Sequence, residues 1–148
     1  MDSQLCLARP IFRGIAPDLG SLNPWLKERI EHHLGLYRAF LRPLLLDGLV
    51  FHHTPWLPLR RATPWCVLEY ASRDRTRAAL AVFRLAAGAS ERYQLRPRGL
   101  DRGRRYLVTF DNCGESAEID GLELAGQGLS IAVGNPYGSE MVLCQALA

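Results

Sequence analysis

Residues 64–85 read PWCVLEYASRDRTRAALAVFRL, and their pattern decides the fold class. Trp65, Val67, Glu69 and Ala71 alternate with Cys66, Leu68, Tyr70 and Ser72, while Ala78, Leu80, Val82 and Phe83 supply a second apolar run. Between them lies Arg73-Asp74-Arg75-Thr76, a polar link whose Asp suits a tight turn. Two strand-length runs rich in aromatic and β-branched residues, joined by such a link, predict an antiparallel hairpin.

Downstream, the same signals repeat. Arg92–Leu95, Arg105–Phe110 and Ala117–Ile119 read as strands separated by Gly/Pro/Asp turns. Gly121 to Leu124 reads as a turn-bounded piece, and Leu129–Val133 and Glu140–Gln145 as a closing pair around Gly134 to Gly138. Seven or eight short strands at regular intervals imply an antiparallel β-sandwich.

Upstream the pattern changes. Asn23-Pro24 is a helix start, with Asn as N-cap and Pro in the first turn. The helix is expected over about 24–42, because Pro43 disfavours helical geometry in the residue before it. Leu26, Ile30, Leu34, Tyr37 and Leu41 form one stripe, widened by Trp25, Leu36 and Phe40 to an apolar arc of roughly 200°. A surface helix needs only a little over about 100°. This helix therefore asks for partners on two sides. The division expected is an N-terminal segment, 1–48, and a C-terminal sandwich, 49–148. Leu49–Phe51 is a short strand, and a Pro-rich linker, LPLRRATP, leads to Pro64.

At 148 residues, 48% hydrophobic and 22% charged, the chain has the composition of one globular domain. No apolar run approaches the roughly 18 residues of a membrane span. The opening MDSQLCLARP has neither the basic leader nor the apolar core of a secretory signal, so a cytoplasmic location is expected. Cys6, Cys66, Cys113 and Cys144 form no CxxC pair, which argues against a zinc site and a disulfide framework. Cys66 and Cys144 read as small buried hydrophobes on strands. Net charge is +3, and Lys27 is the one basic residue that is not arginine. Arginine-rich surfaces suit nucleic acid, but acids are interspersed throughout, and nucleic-acid binding is not expected.

Few residues suggest chemistry. Neighbouring His32 and His33 point about 100° apart on a helix and are not expected to share a metal. His52 and His53, on an extended segment, face opposite sides, one buried and hydrogen-bonded, the other in solvent. Glu69 falls among core positions and needs a partner, with Arg84 across the hairpin the expected one. Phosphate-cradle, nucleophile-elbow and dinucleotide-binding motifs are missing from the sequence. Trp65 reads as core, whereas Trp56, between Pro55 and Pro58, is the better platform for a sugar ring. Trp56 and His53 are therefore the expected carbohydrate-binding residues; no catalytic residue, metal or cofactor is assigned.

The order of LYRAFLRPLL, GLVFHHTP, the W-x-V-x-E-Y strand, AVFRL, RGLDRGRRYLV and DGLELAGQGLSIAV resembles the C-terminal end of melibiase-type alpha-galactosidases, glycoside hydrolase family 36. Gly99-Leu100-Asp101 with Tyr106, and Gly121 to Leu124 with Gly128-Leu129, carry most of it. The resemblance implies that Asn23–Leu41 corresponds to the last helix of a (β/α)8 barrel, followed by a C-terminal sandwich. It also implies that the family's two catalytic carboxylates lie upstream of the matched segment, so no acid here inherits their role. The expected function is a non-catalytic domain that supports a barrel or its assembly. The expected partners are that barrel or a second copy through the helix, and carbohydrate is a further possible ligand. A free-standing carbohydrate-binding module and a protein- or nucleic-acid-interaction module are the alternatives.

Overall fold

The computed structural model describes residues 23–55 and 63–147. Residues 1–22 and Trp56 lie outside the described residues, so the readings placed on them have no structural counterpart here.

Asn23 begins the helical arm as anticipated: its Oδ1 accepts from the Trp25 amide at 2.9 Å, with Pro24 in the first turn. Helix α1 runs Pro24–Leu36. Contrary to expectation, Pro43 does not end the arm. The turn before it widens to a π-helical segment, Tyr37–Leu41, and a second helix, α2, continues over Arg42–Asp47. Proline in a regular helix meets the carbonyl four residues back and removes one hydrogen bond. The wider turn, in which the Arg42 amide reaches the Tyr37 carbonyl, accommodates it. The arm stops at Gly48, whose amide donates to the Leu44 carbonyl at 2.9 Å. A Cβ there would sit 2.3 Å from that carbonyl oxygen and 2.7 Å from the Ala71 carbonyl oxygen, so the close crossing of arm and sheet needs glycine.

Among the described residues eight strands follow: β1 (Leu49–His52), β2 (Trp65–Ala71), β3 (Arg77–Arg84), β4 (Arg92–Leu95), β5 (Arg105–Phe110), β6 (Ser116–Asp120), β7 (Leu129–Ala132) and β8 (Ser139–Ala146). β2 and β3 form the expected hairpin, in register Val67↔Val82 and Glu69↔Leu80. Its turn is tied by Asp74, whose Oδ1 accepts from Ser72 Oγ, the Thr76 amide and Thr76 Oγ1 at 2.6, 3.0 and 2.8 Å. Those bonds hold the Asp74 carboxyl down to about 2, from an ordinary 3.8.

The strands form an antiparallel six-stranded sheet, order β1-β2-β3-β8-β5-β6, and a two-stranded sheet, β4-β7. The last two strands, expected to close as a pair, are not partners: β7 pairs with β4 in one sheet, and β8 lies between β3 and β5 in the other. The piece at Gly121 is also different, a one-and-a-half-turn helix α3 (Gly121–Gly126) that buries Leu124.

The large sheet has two covered faces. One carries Val67, Leu80, Val82, Val108 and Val142 against Leu95, Leu129, Ile131 and Leu124, the sandwich core. The other carries Ala79, Ala81 and Met141 against Leu41 and Leu44 of the arm. Alanines at 79 and 81 leave room for a helix to lie close. Because both faces are covered at β3, that strand is buried at nearly every position, whereas β2 alternates. Among the described residues, no helix is long and apolar enough to cross a membrane.

Candidate functional site

Glu69 is fully buried on the sandwich side of β2, where the alternation of the strand puts it. A carboxylate there requires several donors. Its partner is not Arg84. His53 Nε2 lies 2.6 Å from Oε2, the Arg98 amide donates to Oε2 at 2.9 Å, and the Gly99 amide donates to Oε1 at 2.7 Å. Arg84 is also buried, and its guanidinium donates to four carbonyls, of Val133, Gly134, Ala87 and Ala89.

The peptide that holds Glu69 is built for close approach. A Cβ at Gly99 would stand 2.2 Å from Ala71 Cβ and 3.0 Å from Glu69 Oε1. Two residues on, the Asp101 amide donates to Tyr106 Oη at 2.8 Å, and that hydroxyl donates to the Arg75 carbonyl at 2.6 Å. Tyr106 is fully buried, and burial pushes its phenol upward. The Gly99-Leu100-Asp101…Tyr106 signature therefore fixes the loop after β4 onto the β2–β3 hairpin. Its role is architectural.

Of the two residues nominated for sugar, His53 is in place but its side chain is only 9% exposed and is committed to Glu69; Trp56 is outside the described residues. His52 is exposed, so this pair divides between solvent and core as its extended backbone demands. Trp65 is core, stacked at a tilt on Tyr93 with ring centroids 5.4 Å apart. Cys144 is buried on a strand and Cys66 partly so; burial raises both thiols, and the Glu69 carboxylate raises Cys144 further. Both shifts work against thiolate formation.

Two open grooves flank this hub. One, of about 530 Å3, separates the end of the arm from the hairpin turn and is lined by Pro43, Leu44, Asp47, Arg73, Asp74 and Arg77. The other, of about 520 Å3, is lined by Arg75, Arg96, Pro97, Arg98, Leu100 and Arg102. It offers positive charge, with Arg98 stacked on Phe51 at 5.2 Å. Asp74 and Asp47 in the first groove are engaged by the turn and by Arg73, respectively.

Sequence reasoning missed one cluster. His32 Nε2 on α1 lies 2.7 Å from Asp111 Oδ1, just after β5, and His33 Nδ1 lies 3.9 Å from Asp111 Oδ2. Arg29 Nη2 lies 3.1 Å from His33 Nε2 and 4.0 Å from Asp111 Oδ2. Contrary to the expectation that they diverge, the two rings lie edge to face with centroids 5.1 Å apart, and both meet a residue 79 positions on from His32. Turn composition at Asp111-Asn112 gave no sign of this.

Comparison with known proteins agrees with the architecture. Glycosyl hydrolase family 36 C-terminal domain matches residues 65–143, more than half of the 148. No curated protein matches the chain. Among solved structures, the GH36 alpha-galactosidase AgaA of Geobacillus stearothermophilus, solved with raffinose, is similar at 23% identity and TM-score 0.67 over 88% of this chain and 17% of that one. The alpha-galactosidase of Lactobacillus brevis is similar at 15% identity and TM-score 0.70, over 88% and 18%. The galactosidase domain of alpha-galactosidase-sucrose kinase, AgaSK, gives 19% and 0.65 over 86% and 17%. At these identities the likeness is one of fold, and the chain spans about a sixth of the length of each. With the family matched across the hairpin, the Gly99–Tyr106 loop and both sheets, this chain belongs to the glycosyl hydrolase family 36 C-terminal domains.

Proposed function

We propose that the chain is a non-catalytic domain of an alpha-galactosidase-like glycoside hydrolase, and that it supports a catalytic barrel or its assembly. The helical arm carries this reading. Leu41 and Leu44 are buried against the sheet, yet Trp25, Leu34 and Leu46 on the same arm are 63%, 43% and 76% exposed. An arm seated on the sheet at its C-terminal end, with large apolar side chains elsewhere along it left in solvent, is suited to a second partner. On this reading residues 1–48 belong with the barrel and 49–148 form the sandwich.

The buried carboxylate supports a structural role too. A retaining glycosidase needs two carboxyls that face one sugar. Glu69 instead spends its oxygens on His53, Arg98 and Gly99. Incubated with aryl alpha-galactosides, the purified chain is expected to release no aryl alcohol above buffer; sustained release that follows chain concentration would overturn the reading. Galactoside titration tests the carbohydrate alternative: affinity that disappears in Trp56→Ala would replace support with binding as the function.

A further inference from the structure

The His32, His33 and Asp111 cluster joins the helical arm to the edge of the sandwich, away from the Glu69 hub. Its three ligand-type atoms all lie within 4.8 Å of one another. The Asp111 side chain is only 6% exposed, and its buried Oδ2 accepts no hydrogen bond. A buried carboxylate oxygen without a donor is costly and calls for an explanation.

We propose that His32, His33 and Asp111 bind one divalent transition ion of the zinc type. Two imidazole nitrogens and one carboxylate suit zinc and its borderline neighbours, not magnesium or calcium, which take oxygen ligands. Zinc bonds of about 2.0–2.2 Å in a tetrahedral site place ligand atoms about 3.3 Å apart. The His32–Asp111 pair at 2.7 Å must open slightly, and no other separation has to close by more than about 1.5 Å. Side-chain rotation on the exposed side covers such distances, since His32 is 45% exposed. That opening also admits water as the fourth ligand.

Arg29 is the resident competitor. Its Nη2 donates to His33 Nε2 at 3.1 Å, which leaves the ring proton on Nδ1, facing Asp111. To bind the ion, His33 carries its proton on Nε2 and presents a bare Nδ1. His32 makes the opposite exchange and presents a bare Nε2. The guanidinium, 22% exposed on a long flexible stem, moves off Asp111 as the ion replaces its charge. A mere helix-docking contact and an ion site thus differ in what Arg29 does: it strengthens the first and weakens the second.

The test is calorimetric titration of ZnCl2 into the untagged, chelator-stripped chain, with CoCl2 absorption as a second readout of nitrogen coordination. One ion per chain is expected. His32→Gln, an exposed position that leaves the core intact, should weaken binding at least about tenfold. Arg29→Gln should tighten it several-fold, and Cys113→Ser, at an exposed cysteine two residues from Asp111, should leave it unchanged. No saturable binding up to millimolar zinc would overturn the proposal. So would wild-type affinity in His32→Gln, or weaker binding in Arg29→Gln.

Discussion

On one face of the six-stranded sheet, Val67, Leu80, Val82, Val108 and Val142 meet Leu95, Leu129 and Ile131 of the smaller sheet, all 5% exposed or less. On the other face, Ala79, Ala81 and Met141 meet Leu41 and Leu44, but Trp25 and Leu34, farther along the same arm, stand in solvent. The first face is closed by the chain itself, and its buried Glu69 is met by His53 and two backbone amides. The second uses small residues to seat a helix whose outer half remains uncovered. The difference separates what the domain needs in order to fold from what it offers to another surface.

The largest effect should come from breaking the closed face at its buried carboxyl group, Glu69. Glu69→Ala leaves His53 and two amides without their acceptor inside the core. Leaving one buried polar group unsatisfied costs about 1–3 kcal/mol, and here His53 and two amides are stranded together. Urea unfolding should read that loss, and a cost below about 1 kcal/mol would mean that the hub is dispensable. Next comes overpacking of the arm-facing side. Ala81→Leu inserts three carbons where Leu41 and Leu44 approach, for an expected cost of about 1–3 kcal/mol. Its signature should be local: faster amide exchange in 37–47 with the β4–β7 side protected as before.

Smaller still is the acid response of the hairpin turn. Asp74 is held below its ordinary 3.8, down to about 2, so its contribution is full above about 4 and is lost as pH falls toward 2. Asp74→Asn should flatten the stability profile across that window; an unchanged slope would show that other carboxyls dominate it. The smallest effect belongs to the open face. Trp25→Ser should alter unfolding free energy by no more than about 0.5 kcal/mol, since the residue is 63% exposed and outside both core clusters. A larger loss would mean that this ring packs on the domain after all.

The closed face was readable in the sequence because its signal is local. Strict alternation from Trp65 to Ala71, an Asp-bearing turn and a second apolar run define the β2–β3 hairpin with hardly any reference to the rest. The N-cap at Asn23 was readable for the same reason. What escaped depends on tertiary relations. Leu129–Ala132 and Ser139–Ala146 look like a hairpin until the chain crosses between sheets, a choice made by which faces remain to be covered. Pro43 looks like a stop because a π turn upstream carries no composition of its own. For Glu69, the sequence identified a buried acid and the wrong cation: His53 reaches it from β1's far end, and Arg84 spends its donors on four carbonyls. Asp111 gave no signal, because its histidines are 79 and 78 positions away.

Sedimentation of the isolated chain tests the contrast most directly, measured beside a variant in which Trp25 and Leu34 are both changed to Asp. The open face should make the parent chain associate as concentration rises, while the variant stays monomeric with its unfolding midpoint preserved. A parent chain that remains a monomer at high concentration, indistinguishable from the variant, would contradict the claim that the outer half of the arm is a surface made for a partner.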